Sequence, residues 1–241
     1  MRADINIVYE DEDILVCRKP AGLATQSARV AAPDLVSELK NYLAQKNESY
    51  LAVIHRLDQP VEGLLVFAKN KTAAEKLNEQ LRKNEFNKVY YAVAFNQPPV
   101  QEGMLEDYMI KDGSRAKIVT ADTPGAKKAA LHYKLIAIEK GRSLYEVRLE
   151  TGRFHQIRAQ MAHAGMPLLG DKKYADAAIQ IYSEMHGIKN VALCAYKLKL
   201  IHPRSGEEML FVSKPAGDVF QDFQKRKINN ENRQSKKEDD K

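Results

Sequence analysis

The chain has 241 residues, of which 44% are hydrophobic and 29% are charged. This length and composition are those of an ordinary globular protein with one sizeable domain. The net charge of +6 favours a polyanionic partner. No apolar run approaches the roughly 20 residues that a membrane span needs, and the polar N-terminus lacks the features of a secretory signal, so we expect a cytoplasmic protein. The two cysteines, Cys17 and Cys194, lie far apart in apolar strand-like runs and are expected to be buried free thiols.

The first half of the chain predicts short strands and two amphipathic helices. Two apolar runs joined by the acidic turn 10–13 form a hairpin pattern. Apolar residues that recur every three or four positions mark the helices, and Asn70 is a favourable N-cap for the second of them. In chain order, we predict strands at 5–9 and 14–17, a helix at 34–46, a strand at 64–68, a helix at 70–82 and a strand at 89–95.

The second half begins with a segment rich in turn residues, residues 96–128, which we predict to be mostly loop. Further along, a Lys-Gly-Arg turn at 140–142 joins two strands, and a turn at 203–206 joins two more. In chain order, we predict strands at 130–138 and 144–149, helices at 155–164 and 175–185, strands at 192–200 and 209–212, and a last helix at 218–224.

These elements do not alternate as regular βαβ units, and several strands are linked by hairpins. The sequence therefore predicts the α+β class, with a mixed, mostly antiparallel central sheet flanked by helices and loops. We expect residues 1–224 to form one domain. Residues 225–241 hold seven basic and four acidic residues and almost no apolar side chain, so we expect a disordered basic tail.

Polar residues are concentrated in residues 53–69, where Asp58 lies between an apolar run and a buried-looking strand. Pro60 and Gly63 predict a turn that places Asp58 on a loop between rigid elements, where catalytic groups are often found. A loop carboxylate that hydrogen bonds within its own turn fits the same pattern, and from this segment alone it is the more frequent case.

A second polar segment, residues 150–171, carries Arg153, His155, Arg158 and His163 where a predicted strand leads into a helix. Backbone amides at a helix N-terminus, together with arginines, make a site for phosphate or carboxylate groups. A solvated helix face fits the spacing equally well.

Several motifs, in order along the chain, resemble those of the RluA-like RNA pseudouridine synthases. They are Lys-Pro-Ala-Gly at 19–22 after the opening hairpin, His-Arg-Leu-Asp at 55–58 with Gly-Leu-Leu-Val-Phe-Ala-Lys at 63–69, the tyrosine-bearing strand 88–93, Thr-Gly-Arg at 151–153 with His-Gln-Ile-Arg at 155–158, and Pro-Leu-Leu-Gly-Asp at 167–171. The resemblance covers roughly residues 5–215. It implies the pseudouridine synthase catalytic fold and an isomerase that acts on uridine in structured rRNA or tRNA.

The resemblance also implies roles for individual residues. Asp58 matches the nucleophilic aspartate, Tyr90 the tyrosine that stacks on the uracil, and Arg158 the arginine paired with the aspartate. Arg56 matches the residue that enters the RNA stack and holds the target base out. The residues that we assign to RNA binding and base flipping are Arg56, His55, Arg153 and His155.

The sequence departs from the family pattern just after the aspartate. Members commonly have Thr-Ser-Gly there, whereas this chain has Val-Glu-Gly at 61–63. We interpret the change as one in loop hydrogen bonding that leaves the role of Asp58 intact. Many members also carry a small S4 RNA-binding domain before the catalytic one, and we expect the catalytic domain alone, with target choice resting on loops such as 96–128 and on the tail.

Two other functions fit parts of the sequence. A non-catalytic RNA-binding or ribosome-assembly module on the same fold is the first, although such a copy should have lost at least one of Asp58, Tyr90 and Arg158. A hydrolase with paired carboxylates or histidine metal ligands is the second, but His155 and His163 are about two helical turns apart and no zinc-protease or serine-hydrolase motif occurs. We expect a monomer that needs no cofactor and no metal.

Overall fold

The computed structural model describes residues 6–27, 32–95 and 101–223. The predicted tail at 225–241 and the first residues of the 96–128 segment lie outside these ranges. No helix among the described residues is both long and apolar enough to cross a membrane.

The described residues form eleven strands and four α-helices, with a 3₁₀ helix at Asp218–Phe220. The strands are β1 (Asn6–Glu10), β2 (Ile14–Lys19), β3 (Ala52–Val53), β4 (Glu62–Ala68), β5 (Asn87–Ala94), β6 (Glu102–Asp112), β7 (Arg115–Val119), β8 (Lys127–Glu139), β9 (Arg142–Leu149), β10 (Leu193–Ile201) and β11 (Glu208–Val212). The helices are α1 (Leu35–Ala44), α2 (Lys71–Arg82), α3 (Gln156–His163) and α4 (Ala177–Met185).

All the strands belong to one sheet, and this confirms the predicted mixed, mostly antiparallel arrangement. Its order is β1-β2-β4-β10-β5-β9-β8-β6-β7, with β3 paired to β4 and β11 paired to β10. Among the described strand pairs, only β4 and β10 run parallel. Because β10 comes late in the chain yet lies between β4 and β5, it joins the two segments that carry Asp58 and Tyr90.

Each face of the sheet is covered by helices. On one face, α1 and α3 pack on a cluster that includes Leu65, Tyr90 and Tyr145. On the other face, α2 packs beside Val66 and Leu198, and α4 packs beside Cys194. Side chains alternate between the two faces along each strand, and the cluster that includes Leu65, Tyr90 and Tyr145 lies beneath the candidate site.

Both cysteines are buried free thiols, as the sequence predicted. Burial raises the pKa of Cys17 to about 12 and raises the pKa of Cys194 as well. Neither thiol is therefore a nucleophile near neutral pH.

Two helices begin where the sequence predicted, and Asn70 caps the second of them as expected. The Asp34 side chain accepts a hydrogen bond from the Ser37 amide, and Asn70 accepts one from the Ala73 amide at 2.8 Å. The predicted turn between β8 and β9 is a two-residue hairpin turn at Lys140 and Gly141, and both residues have positive φ. Such turns match the twist of the flanking strands.

The prediction that residues 96–128 are mostly loop is wrong. The segment contains β6 and β7, which pair as a hairpin from Tyr108↔Val119 to Asp112↔Arg115. Gly113, predicted as a turn, lies in the two-residue connection of this hairpin. Only Met109 is buried in β6 and only Ala116 in β7, so the two strands lack the apolar runs that identify buried strands.

The parallel pairing of β4 with β10 requires glycine at residue 63. Gly63 has φ of +128°, and a Cβ at this position would lie 2.5 Å from both the nitrogen and the oxygen of Ala195. No side chain fits between two backbones at this distance. The glycine of the family motif is therefore explained by close approach of strands in the centre of the sheet.

We expect Gly63→Ala to lower the free energy of unfolding by about 2–4 kcal/mol, because the new methyl group forces the central strands apart and strains φ. Gly141→Ala is the control, since Gly141 has φ of +73° and no atom within 4 Å of a new Cβ. This control should cost only about 1 kcal/mol of backbone strain. Urea unfolding of both variants measures the difference, and equal losses would contradict the close-approach explanation.

Candidate active site

Asp58 lies on the loop between β3 and β4, and its backbone is fixed on both sides. Thr25 Oγ1 donates to the carbonyl oxygen of Leu57 at 2.9 Å, while the Leu57 amide donates to Thr25 Oγ1 at 3.2 Å. On the other side, the Val61 amide donates to the carbonyl oxygen of Asp58 at 3.0 Å. The carboxylate itself takes no part in this turn and is 23% exposed, so it is available to a ligand.

The guanidinium of Arg158 links Asp58 to a second carboxylate. Its Nη1 lies 2.9 Å from Asp58 Oδ2, while Nε and Nη2 each donate to Asp171 at 2.8 Å. Arg158 and Asp171 are both buried. Although burial opposes the charge, the two carboxylates raise the pKa of Arg158 above its ordinary value. The arginine is thus a fixed cation, with one edge held by Asp171 and one nitrogen presented to Asp58.

Asp171 has a central role that sequence reasoning did not assign, although it ends the Pro-Leu-Leu-Gly-Asp motif. Its Oδ1 also accepts hydrogen bonds from the amides of Lys173 and Tyr174, at 2.9 and 3.2 Å. The residue before it, Gly170, has φ of +73°, and a Cβ there would collide with the carbonyl group of Asn190. The glycine therefore allows the turn that aims Asp171 at the arginine.

His155 lies on the other side of Asp58 from Arg158, and its backbone conformation is set by its position at the start of α3. It is the N-cap residue of α3, in the left-handed region with φ of 53°. Its Nε2 lies 3.5 Å from Asp58 Oδ2, and its Nδ1 lies 2.8 Å from the hydroxyl of Tyr174. That hydroxyl accepts a hydrogen bond from the Ala116 amide of β7 at 2.6 Å. If Tyr174 donates to Nδ1, the neutral ring carries its proton on Nε2, facing Asp58.

Burial keeps His155 neutral. It lowers the pKa of the imidazole from 6.5 to about 4, although the charge of Asp58 acts in the opposite direction. The ring also stacks on Phe154, with 3.8 Å between ring centroids. His155 is therefore a neutral hydrogen-bonding group beside the carboxylate at physiological pH.

Tyr90 lies on β5, with its ring in the core beneath the site and only 6% exposed. Burial, and after it the charge of Asp58, raise the pKa of Tyr90, so the phenol stays neutral. Tyr91 points to the opposite face, as predicted, where it stacks on Tyr196 with 3.8 Å between centroids. The structure therefore places Tyr90, and not Tyr91, on the side of Asp58.

The other predicted RNA-binding residues differ in their exposure and in the hydrogen bonds that their side chains already make. Arg56 is exposed, and within the described parts of the chain its side chain makes no hydrogen bond or ion pair. Arg153 is exposed too, but its Nε donates to the carbonyl oxygen of Lys128 at 2.9 Å. His55 accepts a hydrogen bond from the Val66 amide at 3.3 Å, and burial, assisted by the charge of Lys88, lowers its pKa to about 3. His55 thus has a structural contact that the sequence did not predict, and its RNA contact stays a prediction.

Lys19, from the Lys-Pro-Ala-Gly motif, holds the loops behind Asp58 together. Its fully buried ammonium group donates to three carbonyl oxygens, those of Pro20, Leu23 and Gln59, at 2.7–3.1 Å. Burial lowers the pKa of Lys19 to about 8, although Asp58 and Glu62 favour the charged form. The sequence marked the motif but gave no role to this residue.

Glu62, where the chain departs from the family pattern, serves another part of the molecule. Its buried carboxylate pairs with Arg18 at 2.8 Å and accepts hydrogen bonds from the amides of Ala216 and Gly217, at 3.0 and 2.9 Å. The substitution therefore anchors the segment that follows β11, and among the described residues Glu62 makes no hydrogen bond with Asp58. The interpretation as a change in loop hydrogen bonding is therefore wrong in its location, because the partners of Glu62 are Arg18 on β2 and the amides of residues 216 and 217.

One group of side chains has the spacing of a metal site, but its atoms are already engaged. Ligand atoms of Asp11, Asp13 and His202 lie within 4.8 Å of one another. Asp11 accepts hydrogen bonds from two backbone amides and from His202, and Asp13 pairs with Arg204. These contacts join the β1–β2 turn to the turn after β10. The cluster is explained as structural, and it is remote in sequence from Asp58.

Comparison with known proteins places this geometry in a family. A sequence model described as RNA pseudouridylate synthase matches residues 13–163. Ribosomal large subunit pseudouridine synthase D of Pasteurella multocida is 34% identical over 214 residues, which cover 85% of this chain and 65% of that protein. The protein of the same name from Haemophilus influenzae is 33% identical over 225 residues, covering 90% and 68%. The chain spans about two thirds of the length of these relatives.

Two solved structures share the fold. Human RNA pseudouridylate synthase domain containing 4 superposes with a TM-score of 0.71 at 23% identity, covering 88% of this chain and 89% of that one. Human RNA pseudouridylate synthase domain containing 1 gives a TM-score of 0.73 at 19% identity, covering 88% and 84%. These likenesses confirm the predicted fold.

The chain belongs to the RNA pseudouridylate synthase family, a class of isomerases that convert uridine to pseudouridine in RNA. Within that class its relatives are RluA-like enzymes, so the resemblance carried by the sequence motifs is confirmed.

The neutral state of His155 can be tested by NMR titration of its ring nitrogens. We expect a pKa of about 4 in the folded protein, because the ring is buried. In Asp58→Asn the pKa should fall further, since the neighbouring negative charge is lost. In the wild-type protein, His155 of the folded state binds fewer protons below pH 6.5 than His155 of the unfolded state. Its contribution to stability is therefore full above pH 6.5 and is lost as the pH falls towards 4. A pKa near 6.5 would show that the ring is not packed as described.

The shared arginine gives a second test. Asp171→Asn should lower the free energy of unfolding by about 3 kcal/mol, because it leaves a buried guanidinium with one carboxylate in place of two. Glu102→Gln removes an exposed ion pair with Lys134 and should cost less than about 1 kcal/mol. Urea unfolding compares the two. Losses of the same size would mean that Asp171 does not hold Arg158 as the geometry indicates.

Proposed function

We propose that this chain isomerises a uridine in structured RNA to pseudouridine, with Asp58 as the nucleophile. The observation that carries the proposal is the position of one partly exposed carboxylate, held 2.9 Å from a buried arginine that a second carboxylate fixes. An attacking carboxylate must be anionic and accessible at once. Arg158 supplies the compensating charge without covering the exposed edge of Asp58.

The target base must first leave the RNA stack, since no side chain reaches it inside a duplex. Arg56 is suited to fill the gap, because it lies two residues before Asp58, is exposed and has no partner among the described residues. Tyr90, whose ring lies beneath the site on the side of the sheet that faces Asp58, is the aromatic residue that we assign to the extruded uracil. These roles for Arg56 and Tyr90 are proposals that rest on position and on the family resemblance.

The reaction exchanges one glycosidic bond for another. Asp58 bonds to the substrate, the N1–C1′ bond breaks, the uracil turns, and C5 bonds to C1′. The bond to Asp58 then breaks, which restores the free carboxylate. The C5 proton is lost and N1 gains one, so substrate and product have the same atoms. Every atom of the product comes from uridine and solvent protons, and we therefore propose a reaction without cofactor or metal.

We further propose ribosomal large-subunit RNA as the substrate, with transfer RNA as the alternative. Support comes from the curated relatives, which are named ribosomal large subunit pseudouridine synthases. We propose that residues 1–224 act as the catalytic domain of a cytoplasmic monomer. The segment 225–241, which carries seven basic and four acidic residues, would add attraction for the phosphate backbone.

The alternative is a non-catalytic RNA-binding or ribosome-assembly module on the same fold. Such a module has no need for a nucleophile fixed by a buried ion pair. The Asp58–Arg158–Asp171 arrangement, which costs desolvation of three charges, favours the enzyme.

The central test is pseudouridine mapping in RNA from cells that lack the gene, after rescue with variants. We expect wild type and Asp122→Asn, an exposed turn residue used as control, to restore one modified site. Asp58→Asn should restore none, because an amide cannot act as the nucleophile, and it should still bind RNA. Pseudouridine made by Asp58→Asn would refute the assigned nucleophile, and no site restored by wild type would favour the non-catalytic module.

A further inference from the structure

Lys88 is a half-buried cation on β5 that has no anionic partner in the described part of the chain. No hydrogen bond or ion pair is formed by its side chain there, and burial alone lowers its pKa. The contrast with Lys19 is clear, since the buried ammonium group of Lys19 is met by three carbonyl oxygens. A desolvated cation without a partner lowers stability, so its retention needs another reason.

The surroundings of Lys88 supply a reason. Its Nζ would lie 3.8 Å from a Cβ placed on Gly152, and among the described residues no other atom lies within 4 Å of that position, apart from Gly152 and its chain neighbours. The space beside the ammonium group is thus open on the Gly152 side. The ring of His55 lies nearby, since the charge of Lys88, after the larger effect of burial, lowers the pKa of His55.

The walls of this space are fixed. The Thr151 hydroxyl and the Arg153 amide both donate to Gln156 Oε1, at 2.8 and 2.9 Å, so the loop that contains Gly152 is tied to the start of α3. The ring of His55 is held by the Val66 amide. The ammonium group of Lys88 is unpaired among the described residues, lies between two fixed loops and faces Gly152, which has no side chain. The space beside it is therefore a preformed recess for an anion.

The position of the recess identifies the anion. Lys88 is two residues from Tyr90 on the same strand, and His55 is three residues from Asp58 with exposed Arg56 between them. We propose that Lys88, with Arg56 at the rim, binds a phosphodiester group of the RNA strand next to the nucleotide that enters the site. This rests on the proposed function and adds a contact that positions the backbone while the base is held elsewhere.

The contact predicts a measurable salt dependence. Binding of a uridine-containing RNA stem-loop is measured by fluorescence anisotropy at several salt concentrations, with full-length protein that carries Asp58→Asn so that nothing turns over. Lys88→Met should raise Kd about tenfold and lower the slope of log K against log salt by about 0.7–0.9, the share of one phosphate. Lys88→Arg should retain the slope.

Two further variants separate a phosphate site from a structural role. Lys134→Met removes a lysine whose side chain is 63% exposed and should change Kd less than about twofold. Gly152→Asp places a carboxylate beside Lys88 and should weaken RNA binding at least as much as Lys88→Met, whereas Gly152→Ala should weaken it less. The melting temperature of Lys88→Met should be equal to or higher than that of its parent, because an unpaired buried charge is removed.

Unchanged Kd and slope in Lys88→Met would overturn the phosphate site, as would a loss of melting temperature that accounts for the weaker binding. Neither outcome bears on the chemistry, which is measured separately as pseudouridine formation by wild type on the same RNA. If wild type binds but forms no pseudouridine, the proposed function fails and the binding result for Lys88 still stands.

Discussion

The site depends on one buried guanidinium that is shared between two carboxylates. Asp171 takes two of the Arg158 nitrogens and leaves the third for Asp58. If Arg158 were flexible, its contact with Asp58 would have no fixed geometry. Here Asp171, which is fully buried, holds the arginine in place. The loop of Asp58 and the turn of Asp171, which are over one hundred residues apart, are thereby brought into one rigid group.

Positively charged side chains in the interior of the site have hydrogen-bonding partners, whereas those at its rim do not among the described residues. Inside, Arg158 and Lys19 meet carboxylates or carbonyl oxygens at hydrogen-bonding distance. At the rim, Arg56 and Lys88 have no such partner among the described residues. The paired cations, Arg158 and Lys19, contribute to the stability of the folded chain. The unpaired cations, Arg56 and Lys88, are available to bind a polyanion. The net charge of the protein does not reveal this division.

The sequence predicted most elements because apolar periodicity and capping residues are local signals. Asp34 and Asn70 begin their helices as expected, and the hairpin turn at Gly141 has the predicted location. The hairpin of β6 and β7 was missed because only Met109 and Ala116 of its strands are buried, so no continuous apolar run marks them. The turn at Gly113 was recognised, but the strands that it joins were not.

For the site, the motifs identified the segments but not all of the contacts. Asp58 and Arg158 were paired from the resemblance, and the structure brings them to 2.9 Å. Asp171 was missed although Arg158 is only 13 residues away, because the motif does not show which way its side chain points. Tyr174 was missed because its partner Ala116 is 58 residues away in the sequence. Glu62 illustrates the same limit, because its partners at 216 and 217 are about 150 residues away.

The place of β10 in the sheet has a consequence for how the protein is made. This strand lies between β4 and β5, yet it ends only at Ile201. During synthesis, the segments that carry Asp58 and Tyr90 emerge first and have no central strand to join them. The sheet closes through contacts that are distant in sequence, which is the topology of slow folding. The nascent chain therefore exposes two unpaired strand edges until β10 arrives, and unpaired edges of this kind are sites at which chains aggregate.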